Sequence, residues 1–350
     1  MGGPFEKQID AVVERGGAIW RQLDSKPLFL TGGTGFFGRW LLSSLLRAQA
    51  LFNLSLHVTV LTRDIVAFQN KAPTIAQSPY IHLIEGDVRS FAFPEPSFAY
   101  VIQGAATTAK RTFDGTEDPL TKFDSALNGT RHVLDFAVKC RAERVLMLSS
   151  GNVYGGLNLE TGACPEDYLG APPTLDMVAA LGHGKRAAEF LCGCYADQYG
   201  LAISIARCFS FVGAYLPLTI HYAIGNFIHD ALSGRPIVVR GDGTPFRSYL
   251  FAGDLVIWLM TMLLKGEPRT IYNVGSDQAI ALGDLAVMVR DIVAPNSEVK
   301  ILGQPSYGPR SIYVPDIERA RKSLQLDVWT ALPTAISATA AAASASPWPD

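Results

Sequence analysis

The stretch FLTGGTGFFGRWLL, Phe29–Leu42, decides the fold. It begins as a short apolar strand, ends as an amphipathic helix, and carries Gly32, Gly35 and Gly38 between the two. Glycines at this spacing, between a strand and a helix, are typical of a loop that binds the pyrophosphate of a dinucleotide. A plain glycine turn without a ligand is the alternative.

Each glycine of this loop has a separate predicted role. Gly32 permits the tight turn, Gly35 lets the backbone approach the pyrophosphate at the helix N-terminus, and Gly38 allows close packing between helix and strand. The loop also contains three further residues that we expect to contact the cofactor: Thr34, Phe36 and Phe37.

Apolar strands and amphipathic helices alternate along most of the chain. The predicted strands lie within residues 27–33, 56–64, 81–88, 99–106, 144–156 and 202–209. Such alternation indicates right-handed β-α-β crossovers and a parallel sheet. We therefore predict an α/β fold, a Rossmann-type doubly wound parallel sheet with a smaller C-terminal substrate-binding lobe.

The chain divides into four predicted parts. Residues 1–26 are assigned to a leading helix and residues 27–211 to the dinucleotide-binding Rossmann domain. From about Val212 proline and glycine become more frequent. Residues 212–330 are therefore assigned mainly to the substrate-binding lobe, with about 250–275 as a candidate to return to the Rossmann domain. Residues 331–350 are assigned to a C-terminal helix and tail.

The composition indicates a globular protein with a large core. Of the 350 residues 48% are hydrophobic and 18% are charged, and the formal net charge is −2. This charge gives no support for binding to nucleic acid or to an anionic membrane. No run is apolar enough to span a membrane, and the charged N-terminus lacks the apolar core of a signal peptide. We expect a cytoplasmic protein.

The five cysteines do not point to a metal site. Their number is odd and their spacings fit no zinc pattern, and Cys192 and Cys194 form a lone C-x-C pair. We expect buried free thiols and no metal.

Further motifs carry a resemblance to a known family. They are GDV (Gly86–Val88), QGAATTA (Gln103–Ala109), SSGNVYGG (Ser149–Gly156), GDGTPFRSYLFAGDL (Gly241–Leu255) and YNVGS (Tyr272–Ser276). Together with the glycine loop they resemble the extended short-chain dehydrogenases/reductases, and within these the nucleotide-sugar epimerases and dehydratases. The resemblance covers about residues 26–326. It implies NAD(P) as the cofactor and a nucleotide-diphosphate sugar as the substrate, and we further expect a homodimer.

The resemblance also assigns cofactor residues beyond the glycine loop. Asp87 would hold the adenine amino group, beside Val88. Ala105 and Ala106 belong to the motif after the fourth strand, in which Gln103 stands where the family usually has histidine.

The end of the second strand predicts which dinucleotide is used. Thr62 occupies the position where a carboxylate would bind a ribose 2′-hydroxyl and favour NAD, and Arg63 follows it. Because an arginine pairs well with a 2′-phosphate, we favour NADP over NAD. The alternative is a solvated Arg63, with Asp64 on the ribose.

The catalytic pattern of the family is incomplete in this chain. In the family a tyrosine, a lysine one helical turn later and a hydroxyl after the fifth strand move the proton that accompanies hydride transfer. The resemblance places the hydroxyl at Ser150 and the lysine at Lys185, but Leu181 stands where the tyrosine belongs. Tyr168 and Asp167, in the loop before this helix, are candidate substitutes.

The two residues after Ser150 reduce the number of candidate reactions. A 4,6-dehydratase of the family has an Asp-Glu pair there and a decarboxylase usually has Glu at the second position, whereas this chain has Gly151 and Asn152. Because an amide does not take a proton, we predict an epimerase or a ketoreductase that works by hydride transfer. The alternatives are a catalytically impaired protein that binds nucleotide sugar and NAD(P), a 4,6-dehydratase, or a carbonyl reductase of the same fold.

A diphosphate substrate needs cationic partners. Arg247 and Arg310 are the candidates, since each lies in or near a motif that supplies a phosphate arginine in the family. Four other residues stand at positions expected to line the substrate: Thr107, Asn152, Ser210 and Asn226.

Overall fold

Strands and helices alternate through the residues that the computed structural model describes, which are 3–95, 98–105, 118–158, 160, 162–220, 222–304, 310–346 and 348. The strands are β1 Leu28–Thr31, β2 Val58–Thr62, β3 Ile81–Glu85, β4 Tyr100–Gln103, β5 Arg144–Ser150, β6 Ile203–Cys208, β7 Phe211–Val212, β8 Ile237–Val239, β9 Phe246–Arg247, β10 Leu250–Phe251, β11 Thr270–Val274, β12 Ile280–Ala281, β13 Val299–Ile301 and β14 Ile312–Tyr313. The helices are α1 Pro4–Gly16, α2 Phe36–Phe52, α3 Ile65–Lys71, α4 Pro73–Ala76, α5 Pro119–Cys140, α6 Ala180–Tyr199, α7 Ala223–Leu232, α8 Ala252–Lys265, α9 Leu282–Val293, α10 Glu318–Leu324 and α11 Leu332–Ala345.

Seven of the described strands form one parallel sheet, in the order β11-β6-β5-β4-β1-β2-β3. Strands β1, β2, β4 and β6 are buried along their whole length, which explains their nearly continuous apolar sequences. Helices cover both faces of the sheet. The prediction of an α/β Rossmann-type fold is confirmed.

The position of β1 in the sheet determines where a ligand-binding crevice is expected. It pairs with β2 on one side and with β4 on the other, with Thr31 opposite Gln103. The chain therefore builds the sheet outward from β1 in one direction and then in the other. In open parallel sheets of this kind, ligands bind outside the carboxyl ends of the strands at such a switch point.

The last third of the chain contributes to both lobes. Strand β11 pairs with β6 at the edge of the central sheet. The remaining strands form three small sheets, β10-β7, β12-β9-β14 and β13-β8, and α7 packs against α9 and β8. In the second of these sheets, Arg247 on β9 lies opposite Tyr313 on β14. This pairing brings two distant stretches of sequence together above the crevice.

The leading segment is not one helix. Helix α1 ends at Gly16, and a 3-10 helix at Gly17–Leu23 follows it. Gly17 has φ +50° and ψ −123°, a conformation that interrupts an α-helix and that glycine adopts without strain. Helix α1 packs against α2, α8 and α11. Among the described residues no helix is both long and apolar enough to cross a membrane.

Candidate active site

The glycine loop joins β1 to α2 and touches the end of β4. Gly32 has φ +76°, and a Cβ there would lie 2.4 Å from the Gly104 carbonyl oxygen. A Cβ on Gly38 would lie 2.3 Å from the Gly33 carbonyl group. Thr31 Oγ1 accepts hydrogen bonds from the backbone N–H groups of Gly104 and Ala105, at 3.1 and 3.0 Å. Any larger residue at Gly32 or Gly38 would therefore force the loop apart.

Gly35 is different from the other two glycines because it faces open space. It is the N-cap of α2, it is exposed, and among the described residues a Cβ there would meet only the Gly32 carbonyl oxygen, at 3.7 Å. No side chain of the described part of the chain caps this helix end. The N–H groups of the first turn of α2 thus point at a free cradle, which fits the diphosphate of a dinucleotide.

Aromatic side chains support the helix behind this cradle. Phe36 and Phe37 are half-buried beside each other, and Phe37 packs edge-on against Phe211, with 4.9 Å between ring centroids. Thr34 is half-buried as well.

The ends of β2 and β3 bring two arginines and two carboxylates together. Arg89 holds Asp87 with two hydrogen bonds, of 2.8 and 2.9 Å, and this pairing lowers the pKa of Asp87. Arg63 is exposed and close enough to Asp87 to add to that effect. Asp64 caps α3 by accepting a hydrogen bond from Ala67 N at 2.8 Å.

The remaining predicted cofactor residues lie at the ends of β3 and β4. Val88 packs close to Gly129 on α5, which leaves no space for a side chain there. The buried Gln103 amide links the Thr31 hydroxyl to the Thr130 hydroxyl on the same helix. Ala106 and Thr107 lie outside the described residues.

Ser150 ends β5 and opens a 3-10 helix at Gly151–Tyr154. Its Oγ accepts a hydrogen bond from Asn152 N at 3.2 Å, while the Asn152 side chain is exposed. In the register of the sheet, Ser150 lies beside Cys208 at the end of β6. The hydroxyl is therefore held at the carboxyl edge, next to the crevice.

Lys185 is buried on α6 and reaches the same edge. It is 3% exposed, and its Nζ donates a hydrogen bond of 2.7 Å to the Leu148 carbonyl oxygen, two residues before Ser150. Burial lowers the pKa of Lys185 to about 8, because removal from water disfavours the charged form. Among the described residues no carboxylate forms an ion pair with it.

Two glycines that sequence reasoning missed bring α6 this close. A Cβ on Gly182 would lie 2.6 Å from the Asn152 carbonyl oxygen, and one on Gly184 would lie 2.9 Å from Ala126 Cβ on α5. The signal was present in the sequence as GHGK, directly before and at Lys185. These small residues allow the helix to press against the Ser150 turn and against its neighbouring helix.

A buried ion pair anchors the same helix to the sheet. Arg207 on β6 donates to Glu189 on α6, with 2.7 Å between Nη2 and Oε2, and Ser149 donates to the same carboxylate. Because Ser149 precedes Ser150 and Glu189 lies one turn after Lys185, this network fixes the two candidate catalytic residues relative to each other.

Among the described residues, neither Leu181 nor Tyr168 forms a hydrogen bond with Ser150. Leu181 is half-buried at the start of α6 and belongs to none of the clusters of packed apolar side chains. Tyr168 packs against Gly170 and lies 6.2 Å from the Tyr154 ring, centroid to centroid. Asp167 is exposed.

A different phenol, Tyr313 on β14, contacts the Ser150 turn. A Cβ on Gly151 would lie 2.6 Å from Tyr313 Oη. Burial raises the pKa of Tyr313, and the nearby Ser150 hydroxyl opposes this rise. The ring packs on Phe209, with 4.7 Å between centroids, and remains partly exposed. Sequence reasoning missed Tyr313 because no motif connects it with Ser150.

Arg247, opposite Tyr313, is a guanidinium without an acidic partner among the described residues. Its Nη1 donates to the Phe246 carbonyl oxygen at 2.7 Å and to Ser311 Oγ at 3.4 Å. Burial lowers the pKa of Arg247. A desolvated cation of this kind is stabilised by an anion bound in the crevice.

The other predicted substrate residues lie on separate parts of the chain. Asn226 is half-buried in α7, and Ser210 is half-buried after β6, where its carbonyl oxygen accepts from Leu250 N at 3.0 Å. Arg310 is exposed. The described residues contain no cluster of side chains able to hold a metal ion, and all five cysteines are free.

Comparison with known proteins identifies the family. The model of the NAD dependent epimerase/dehydratase family matches residues 28–275. UDP-glucuronic acid decarboxylase 6 of Arabidopsis thaliana is 28% identical over 297 residues, which cover 85% of this chain and 82% of that protein. UDP-glucuronic acid decarboxylase 1 of Danio rerio is 26% identical over 298 residues, which cover 85% of this chain and 68% of that protein.

Solved structures share the fold at lower identity. The UDP-glucose 4-epimerase of Thermotoga maritima, solved with UDP-glucose, superimposes with a TM-score of 0.76 at 19% identity and covers 91% of this chain and 99% of its own. The UDP-glucuronic acid 4-epimerase of Bacillus cereus, solved with UDP-glucuronic acid and NAD, gives a TM-score of 0.75 at 20% identity, with the same two coverages.

Proposed function

This chain belongs to the NAD dependent epimerase/dehydratase family, and we propose that it transfers hydride to or from a UDP-linked sugar as an epimerase or ketoreductase. The observation that carries the proposal is the convergence of three groups on the carboxyl edge of the sheet. They are the cradle at Gly35, the neighbouring Ser150 and Lys185, and Arg247, which has no acidic partner among the described residues. Together they can hold a dinucleotide, a reacting hydroxyl and a second diphosphate.

The residues present fit a nicotinamide dinucleotide. The N-terminus of α2 would hold its diphosphate, and the Asp87 region would hold its adenine end. When bound, the cofactor supplies a hydride donor or acceptor. Ser150 would orient the reacting oxygen, and Lys185 would bind the ribose next to the nicotinamide.

UDP-glucuronic acid is the first substrate to assay. The curated relatives named above act on it, and so does one of the structural neighbours. Decarboxylation is the second candidate because those relatives are decarboxylases. We favour hydride transfer without decarboxylation, since Asn152 offers an amide where a decarboxylase usually has a glutamate.

The Arg247→Ala variant tests the proposed substrate site. We expect its affinity for UDP to fall by about 10- to 100-fold, because a charge-assisted contact to phosphate contributes about 1.5–3 kcal/mol. Calorimetric titration with UDP measures this, with the exposed Arg240→Ala as the matched control. Equal affinity in both variants would place the nucleotide sugar elsewhere.

The choice between an enzyme and a binding protein needs a turnover measurement. Both should be stabilised against heat by UDP-glucuronic acid once NAD(P) is saturating. Only the enzyme changes the absorbance of the nicotinamide in a single turnover. If the protein binds several UDP sugars but transfers hydride to or from none of them, the catalytically impaired alternative that Leu181 suggests is favoured.

We propose NADP rather than NAD as the preferred cofactor. Asp64 is engaged as a helix cap, while Arg63 is exposed and lies near Asp87 and Arg89. We expect Arg63→Ala to lose a preference for NADP of about 1–3 kcal/mol. Parallel titrations with NADP and NAD measure this preference. Gly35→Asp is the control, and it should lose affinity for both cofactors. A wild-type protein that binds NAD better, unchanged by the substitution, would contradict this assignment.

We also propose a homodimer. Phe190 is 73% exposed on α6, between the buried Glu189 and Leu191, and a second copy could cover it. Sedimentation at micromolar concentration should give a dimer in the wild type and a larger monomer fraction in Phe190→Ser. A wild-type monomer at all concentrations would reject the proposal.

A further inference from the structure

We propose that Tyr313 replaces the missing tyrosine as a relay, passing its proton through Ser150 to the oxygen of a bound sugar ketone. This inference rests on the proposed function and deepens it, because such a relay serves reduction rather than oxidation. Tyr313 acts through Ser150 and is therefore a positioning residue for the reaction, not a group in contact with the reacting atoms.

The geometry supports the relay at both of its hydroxyls. Tyr313 Oη lies against Gly151, where a Cβ would come within 2.6 Å of it, and the phenol is near enough to the Ser150 hydroxyl for the two groups to interact. Ser150 Oγ already accepts from Asn152 N, so the serine is held with its own proton free to point at a ligand. The serine hydroxyl can thus accept from the phenol on one side and donate to a carbonyl oxygen on the other.

The rest of the molecule holds Tyr313 in this position. The pairing of β14 with β9 fixes its backbone opposite Arg247, and the Phe209 ring packs on its face. Tyr313 is half-buried, so water can reach this residue and return a proton to it.

Other proton donors near Ser150 are less well placed. Lys185 directs its Nζ to the Leu148 carbonyl oxygen, and His183 binds the Pro173 carbonyl oxygen at 3.0 Å. The Cys208 thiol is buried, and its pKa is raised to about 12.

The electrostatic surroundings of Tyr313 decide the direction of proton transfer. The groups that face it are Arg247 on β9, Tyr222 before α7, Cys208 on β6 and the Ser150 hydroxyl. Burial raises the pKa of Tyr313, so the phenol stays protonated at neutral pH and can act as an acid but not as a base. Arg247 would stabilise the phenolate that remains after it donates.

The step balances for reduction of a ketone. The carbonyl carbon receives a hydride from a reduced nicotinamide dinucleotide, and the electron pair of the C=O bond moves to oxygen. Ser150 gives this oxygen its hydroxyl proton, and Tyr313 gives its own proton to Ser150. The phenolate beside Arg247 then regains a proton from water. The ketone becomes an alcohol, and the dinucleotide is oxidised.

Kinetics of the Tyr313→Phe variant test the relay, with a UDP-linked 4-ketohexose and reduced cofactor as the probe. We expect kcat to fall by about 10²-fold with little change in KM, because the substitution removes a proton donor and not a binding contact. The exposed Tyr199→Phe on α6 is the matched control. Adding Leu181→Tyr to Tyr313→Phe should restore the rate, since a phenol at position 181 bypasses the relay.

A measurement on the cofactor-free protein tests the hydrogen bond by itself. With ¹³C at Cζ of every tyrosine, the resonance that disappears in Tyr313→Phe identifies Tyr313, and Ser150→Ala should shift that resonance. An unmoved resonance, or equal kcat in Tyr313→Phe and Tyr199→Phe, rejects the relay while the proposed function stands. A wild type that binds the probe but never reduces it rejects both.

Discussion

The Leu181→Tyr variant should transfer hydride to or from a UDP sugar about 10²-fold faster than the wild type. Positions 181 and 185 lie one helical turn apart on the same face of α6, so the new phenol would point towards the same edge as Lys185. A general acid or base that acts directly on the reacting oxygen contributes about 10²–10⁴-fold. The absorbance of the nicotinamide under single-turnover conditions measures the change.

Leu181→Phe is the matched control for this variant. It adds a ring of nearly the same size without the hydroxyl, so it isolates the chemistry from the packing. Leu181 is half-buried and outside the packed apolar clusters, and we therefore expect both rings to be tolerated with small changes in melting temperature. A rate for Leu181→Tyr no higher than for Leu181→Phe would mean that position 181 does not face the reacting oxygen.

The faster hydride transfer expected for Leu181→Tyr is compatible with a proton relay through Tyr313 in the wild type. A phenol with a raised pKa, acting through a serine, is a poorer acid at neutral pH than a phenol next to the cation of Lys185. With Leu181→Tyr present, the Tyr313→Phe substitution should therefore cost little. The two substitutions are not additive, because they supply the same proton by alternative routes.

The sequence predicts the sheet and the glycine loop between β1 and α2 well because both depend on local signals. Strands such as β1 and β6 are buried along their whole length and mostly apolar, and Gly32, Gly35 and Gly38 stand at a recognisable spacing between a strand and a helix. The break in the leading segment had a local signal too, the pair Gly16 and Gly17. Gly17 has a positive φ, which ends α1 and makes the prediction of one helix wrong.

The candidate site is predictable only in part because some of its residues are brought together by pairing between strands that are distant in the sequence. Ser150 and Lys185 follow from motifs, and the structure places both at the carboxyl edge of the sheet. Tyr313 reaches Ser150 only because β14 pairs with β9 in a small sheet of the second lobe. That sheet is built from strands of two residues, which leave no periodic pattern in the sequence.

The Lys185→Met variant should unfold at higher urea concentration than the wild type at pH 7, by about 2 kcal/mol in the free energy of unfolding, although it should lose hydride transfer. The pKa of Lys185 falls from 10.5 to about 8 in the folded protein. Below pH 8 both states carry the proton, and the folded state bears the cost of a buried cation, about 3 kcal/mol. Loss of the hydrogen bond to the Leu148 carbonyl oxygen offsets about 1 kcal/mol of the gain.

The pH dependence separates this charge effect from a simple gain in packing. Between pH 8 and 10.5 only the unfolded wild type keeps the Lys185 proton, so wild-type stability rises with pH through that window relative to Lys185→Met. Urea unfolding at pH 7 and pH 10.5 should therefore show the advantage of the variant vanish or reverse. The exposed Lys265→Met serves as the control and should show little difference from wild type at either pH. An advantage of Lys185→Met that is equal at both pH values would mean that the lysine is not held as a desolvated cation, and its burial would then have no electrostatic consequence for cofactor binding at this edge.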